Sequence, residues 1–139
     1  MKSEFGLAIH AMVVLNHHKN EVISSEILAK NTCTNAARIR KVLSKLRKAN
    51  IISAKEGIDG GYIFNGDANK ITLKNICDCL NVQIITPPRH SADIDINCLI
   101  SSGMGTILEE IHADLNTAIM QRLNSITIQS IENKLFYRE

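Results

Sequence analysis

Between Lys30 and Lys55 the chain carries eight basic residues and no acidic one, and there Ile39, Val42, Leu43 and Leu46 recur at i, i+3, i+4 and i+7. That spacing predicts a helix over 35–48 with one buried stripe. It leaves Arg38, Arg40, Lys41, Lys45, Arg47 and Lys48 on the remaining surface. Such a helix needs an apolar body on one side and either water or a polyanion on the other. The stretch holds half of the 16 Lys and Arg residues of a chain whose net charge is only +2. From Gln83 onward, seven acidic residues face four basic ones. The chain is electrically polarised, so one end is suited to a polyanion and the other is not.

What flanks the basic helix narrows the fold. Thr32-Cys33-Thr34 separates it from a short helix, SEILAKN, which Ser24 can cap and whose first turn suits Glu26. Before that, residues 3–16 place Phe5, Ile9, Met12 and Val13 on one side of a helix. Past Asn50, residues 51–54 and 62–64 are β-like runs on either side of the glycine-rich AKEGIDGG at 54–61. Neither run is stable alone, so the pair reads as a hairpin. Thr72 is placed to cap a fourth helix, LKNICDCLN, and Pro87-Pro88 opens a loop over 86–98. A second stripe, Met104, Ile107, Leu108, Ile111, Leu115, Ala118 and Ile119, runs to about Leu123. A helix of that extent spans roughly 30 Å. The final ITIQSIENKLF reads as a short helix.

Apolar residues make up 45% of the 139 positions but aromatic ones only 4%, so the core must be aliphatic. The chain divides into a first domain at 1–82, a loop or linker at 83–103 and a helical region at 104–139. No stretch has the length and apolarity of a membrane span. Glu4 and His10 make the N-terminus a poor signal peptide, which points to the cytoplasm and reduced thiols.

Helix, turn, basic helix and glycine hairpin, in that order, describe a winged helix-turn-helix: mainly α, with a small β-hairpin wing and a long C-terminal helix. In a DNA groove, Thr34, Asn35 and Arg38 would stand near base edges, while Arg40, Lys41, Lys45, Arg47 and Lys48 would meet phosphates. In the wing, Gly57, Gly60 and Gly61 allow a tight turn and close approach to a phosphate strand, beside Lys55 and Tyr62. Asp59 suits a local turn hydrogen bond. The stretch GIDGG lacks the Gly-Lys-Ser/Thr end and the spacing of a nucleotide loop. Two plainer readings compete: a merely solvated basic face, and a winged-helix interaction module without DNA binding. Catalysis has no support, since Glu110 and Asp114 are most simply solvated and no nucleophile setting is present.

Four stretches, EFGLAIHAMVVL, SSEILAKNTCTNAARIRKVLSKLRKANII, SAKEGIDGGYIF and ITLKNICDCL, resemble the Rrf2 family of bacterial transcription regulators. The likeness is specific over 3–82 and looser beyond. Glu56 stands where that family usually has arginine, which makes this wing less cationic. The resemblance implies a homodimer on a palindromic operator in double-stranded DNA, usually acting as a repressor. Its dimer contacts would come from Met104, Ile107, Leu108, Ile111, Leu115 and Ile119. The stripe supports that independently, being longer than so small a core needs.

Some members of the family hold an iron–sulfur cluster through three cysteines in the loop before the long helix. This chain has only Cys98 there, and Cys77 and Cys79, at i and i+2, point to different faces of a helix. No cofactor is therefore expected. Zinc lacks a ligand set, and His17-His18 reads as a solvated turn. Other members look like thiol-based sensors, which makes Cys33 and Cys98 redox candidates, with a disulfide between them across the dimer as one version and within a subunit as another. Cys33 lies by a helix N-terminus among lysines and arginines, a setting that favours a reactive thiol. The competing readings keep Cys33 as a small buried hydrophobe, or replace the thiol switch by a small ligand between the wing domain and the dimer helix.

Overall fold

The structure, a computed structural model, describes residues 3–88 and 99–137. Its helices are α1 (Ser3–His17), α2 (Ser25–Asn31), α3 (Ala36–Lys48), α4 (Leu73–Leu80), α5 (Leu99–Asn124) and α6 (Ile128–Phe136). Between α3 and α4 lie β1 (Ser53–Lys55) and β2 (Gly61–Ile63). The fold is mainly helical, with an antiparallel hairpin wing and one long helix near the C-terminus.

Sequence-local signals account for most helix ends. Ser24, Asn35, Thr72 and Thr127 each accept a backbone N–H of the first turn that follows, at α2, α3, α4 and α6. Such caps satisfy donors that no intrahelical carbonyl can reach. At the other end, Asn50 (φ 61°) follows α3 and Asn81 (φ 52°) caps α4 in the left-handed region, which asparagine tolerates better than most residues.

At the centre of the body is α1. Phe5, Ala8, Ala11, Met12 and Leu15 are fully buried, and Leu7 and Val13 nearly so. A single buried side would not need that many positions. The helix is covered by α3, α4 and α6 together, so its apolar residues are distributed around it, and Ile9 is only half-buried.

The last helix packs on this body. Ile128 is fully buried, and α6 packs on α1. Glu132, also buried, accepts from the Asn16 amide and lies 2.9 Å from His17 Nδ1. The His17 ring stacks on Phe136 with centroids 4.3 Å apart. His17 is exposed, as a solvated residue would be, and it also touches α6 at the end of α1. Two backbone bonds, Leu73 N to Ile126 O and Ile128 N to Ile71 O, both 2.9 Å, stitch the α5–α6 corner to the start of α4.

Helix α5 begins at Leu99, inside the stretch expected to be linker. Its 26 residues span about 39 Å. Near its C-terminal end Met120 and Leu123 pack against the core, but no residue of the helix is buried in the single chain.

Candidate nucleic-acid interface

The turn that sets α3 against α2 is short and strained at one residue. Thr32 Oγ1 donates to Leu28 O at 2.7 Å, and Thr34 N donates to Ala29 O at 2.9 Å. Between them Cys33 takes φ 56° and is exposed. Among the described residues every other non-glycine with positive φ is an asparagine. Cys33 thus lacks the local polar compensation that asparagine brings to this conformation. Its exposure removes the reading of a buried hydrophobe.

Ile39, Val42, Leu43 and Leu46 are buried as their spacing predicts. Successive residues advance about 100° around a helix, so Ala37, Lys41, Ser44 and Lys48 form the crest opposite that stripe. Arg38 and Lys45 occupy the flank toward α1, where Arg38 Nη2 donates to Ser3 Oγ at 2.7 Å. Lys45 Nζ lies 2.6 Å from Glu4 Oε1. Arg40 and Arg47 occupy the other flank, toward α2 and the wing. Arg40 Nη1 donates to Ser25 Oγ at 3.1 Å and stands 3.7 Å from Glu26.

Two of the nominated DNA contacts also hold partners within the protein. Lys45 is half-buried against α1, and the Asn35 side-chain oxygen holds the Arg38 N–H at 2.8 Å as the α3 cap. The Arg40–Glu26 pair is more than half exposed. Such a pair is worth only about 0–1 kcal/mol, so Arg40 remains free to turn outward. Arg38, Arg40, Lys41, Arg47 and Lys48 are exposed, and Thr34 is half-buried.

Beside this flank is a groove of about 380 Å³. Arg40 and Arg47 line one side, and Lys55, Gly57, Gly60, Gly61 and Tyr62 of the wing line the other. Glu26 and Glu56 also line it. Ser25 and Glu26 of α2 had no signal in the sequence as partners of Arg40, because 15 positions separate Ser25 from it.

The wing pairs Ser53 with Ile63, Ala54 with Tyr62 and Lys55 with Gly61. Its second strand is also clasped from the other side, where Ile23 and Tyr62 exchange two backbone hydrogen bonds of 2.8 Å. A Cβ on Gly61 would stand 2.3 Å from Ile23 O. That glycine is required by the protein's own backbone. Gly57, at φ 109°, supplies the turn.

The remaining nominated residues lie along α5. Met104, Ile107, Leu108, Ile111 and Leu115 are between 38% and 53% exposed, and Ile119 is half-buried. Cys98 falls outside the described residues.

Two helices joined by a tight turn, a cationic second helix and a hairpin clasped beside it define a winged helix-turn-helix DNA-binding protein. The Rrf2 family model, described as an iron-dependent transcriptional regulator, matches residues 1–134. The chain belongs to the Rrf2 family, and is accordingly a DNA-binding transcription regulator and not an enzyme. It is 25% identical over 136 residues to YwnA of Bacillus subtilis (strain 168), described as an HTH-type transcriptional regulator, covering 98% of this chain and 99% of that one. A Lactobacillus plantarum protein described as a transcriptional regulator has the same fold, with TM-score 0.85 and 20% identity over 99% of this chain and 93% of the other. So does CymR, the global cysteine regulator of B. subtilis, with TM-score 0.70 and 17% identity over 100% and 98%.

Iron fits this chain poorly as a cysteine-held cluster. Cys77 is buried and donates to Val82 O at 3.4 Å, and Cys79 donates to Lys45 O at 3.0 Å. Burial pushes both thiols up from their ordinary range, against the thiolate a metal needs. With those two committed, the whole sequence leaves only Cys33 and Cys98. Among the described residues no three His, Cys, Asp or Glu side chains come together as a metal site. No described helix is long and apolar enough to cross a membrane.

Proposed function

We propose that this chain is a cytoplasmic homodimeric repressor that binds a palindromic operator through α3 and the wing. The observation that carries this reading is the placement of the exposed cations of α3 opposite its buried stripe, with Arg40 and Arg47 opening onto the wing groove. The apolar stripe of α5 supports the dimer, since the isolated chain leaves Met104, Ile107, Leu108, Ile111 and Leu115 in water. Two-fold symmetry then sets two copies of α3 about one DNA turn, roughly 34 Å, apart. Residues 1–82 form the DNA-binding part, and the cations of α3 with Lys55 and the glycine backbone meet the duplex.

Operator binding is switched by oxidation of Cys33. The thiol is exposed in the turn that orients α3, at a backbone angle ill-suited to cysteine. Peroxide converts it to a sulfenic acid with loss of water. The Cys98 thiol then displaces a second water to form the disulfide. The bond pulls on the turn, so α3 loses its register on DNA. A small-ligand switch is the second reading, favoured by a depression of about 200 Å³ where Ile85, Thr86 and Pro88 meet Leu108, Ile111 and Leu115.

Genome-wide footprinting with and without peroxide, on the wild type and Cys33→Ser, tests both parts. Discrete sites vacated by oxidant in the wild type alone are expected. Occupied sites that Cys33→Ser still vacates would favour the ligand, and an absence of sites would overturn operator binding.

A further inference from the structure

The dimensions of a DNA groove divide the surface of α3 into two jobs. A helix with its side chains is about 10–12 Å across, and the major groove is about 12 Å wide. A helix seated there fills it from wall to wall. Its flanks meet the two phosphate walls, and only its crest reaches the floor where base edges are displayed. In α3 the flanks are Arg38 and Lys45 on one side and Arg40 and Arg47 on the other. The crest begins with Ala37 and Lys41.

The hydrogen bonds of the free protein agree with that division. Arg38 is held by Ser3, Lys45 by Glu4, and Arg40 by Ser25 beside Glu26. Each contact draws a flank cation toward the protein body in the free protein, although the exposed Arg40 pair is weak. Lys41 is exposed and has no hydrogen bond or ion pair among the described residues. Of the cations in the first two turns of α3 it is the one on the crest, from which a side chain extends straight to the groove floor. Thr34 and Asn35 are poorly placed to compete, one half-buried and the other occupied as the helix cap.

Resting on the operator-binding reading above, we propose that Lys41, rather than Arg38, is the principal sequence-reading side chain. Its ammonium donates to the O6 and N7 acceptors of a guanine in each half-site. Ala37, one turn earlier, presents only a methyl group, which suits the C5 methyl of a neighbouring thymine. Arg38 and the cations on the opposite flank hold the phosphate walls and set affinity without choosing sequence.

Selection from a random-sequence duplex library, run with the full-length wild type, Lys41→Ala and Arg38→Ala, tests the assignment. The wild type is expected to enrich a two-fold symmetric site with one guanine per half-site favoured roughly tenfold or more over other bases. Lys41→Ala should bring that preference to within about twofold while leaving other positions intact. Arg38→Ala should enrich the unchanged site at lower affinity. If Arg38→Ala erases a position and Lys41→Ala weakens binding uniformly, Lys41 is a phosphate contact and the assignment is wrong. If the wild type enriches no site at all, the operator-binding reading fails first and the assignment falls with it.

Discussion

Helices α1 and α5 are both rich in aliphatic residues, and the protein uses them in opposite ways. In α1, 15 residues long, Phe5, Ala8, Ala11, Met12 and Leu15 are sealed inside the protomer by three other helices. In α5, 26 residues long, nothing is buried and an apolar stripe from Met104 to Leu115 faces out. Each large side chain fully buried contributes about 1.5–3 kcal/mol. The first helix has collected that contribution within one chain. The second has it still available, as the proposed pairing with a second copy requires.

The contrast predicts that damage to the two helices registers in different measurements. Phe5→Ala should lower protomer stability most, by about 3–5 kcal/mol in urea unfolding, because Phe5 is a large side chain fully buried in the core. Ile111→Asp should leave the far-UV circular dichroism of the protomer unchanged. It should weaken self-association by about 2–4 kcal/mol, read as monomers in sedimentation, as expected for a charge at the centre of an apolar interface. If it unfolds the protomer instead, α5 belongs to the core and the contrast is false.

Two smaller effects sharpen the boundary between the regions. Glu132→Ala removes the carboxylate shared by the Asn16 amide and His17, at a cost of about 1–3 kcal/mol in thermal or urea unfolding. An unchanged stability would mean that α6 is not part of the α1 body. Cys33→Gly relieves the φ of 56° in the turn and should raise stability by at most about 1 kcal/mol. A loss of stability would show that the turn is not strained.

Features that depend on neighbours in sequence were legible before the structure. The Ser24 and Thr72 caps, the extent of α2 and the buried stripe of α3 all rest on residues within one or two turns of each other. What the sequence hid was long-range. Asn16 and Glu132 are 116 positions apart, so the return of α6 onto α1 left no local trace. Lys45 reads as a surface cation until Glu4, 41 positions away, is set beside it. The glycine run suggested a turn, but only the clasp of Ile23 on Tyr62 explains why position 61 tolerates no Cβ. The start of α5 was missed because Leu99 and Ile100 are exposed and precede Ser-Ser-Gly, which reads as loop.

Whether α3 lies in a duplex groove is best measured by titrating salt against the affinity of the reduced protein for DNA, beside Arg47→Ala. The logarithm of affinity should fall linearly with the logarithm of salt concentration, with the slope smaller by about one for the variant. An affinity indifferent to salt, or no binding to any duplex at low ionic strength, would contradict the account.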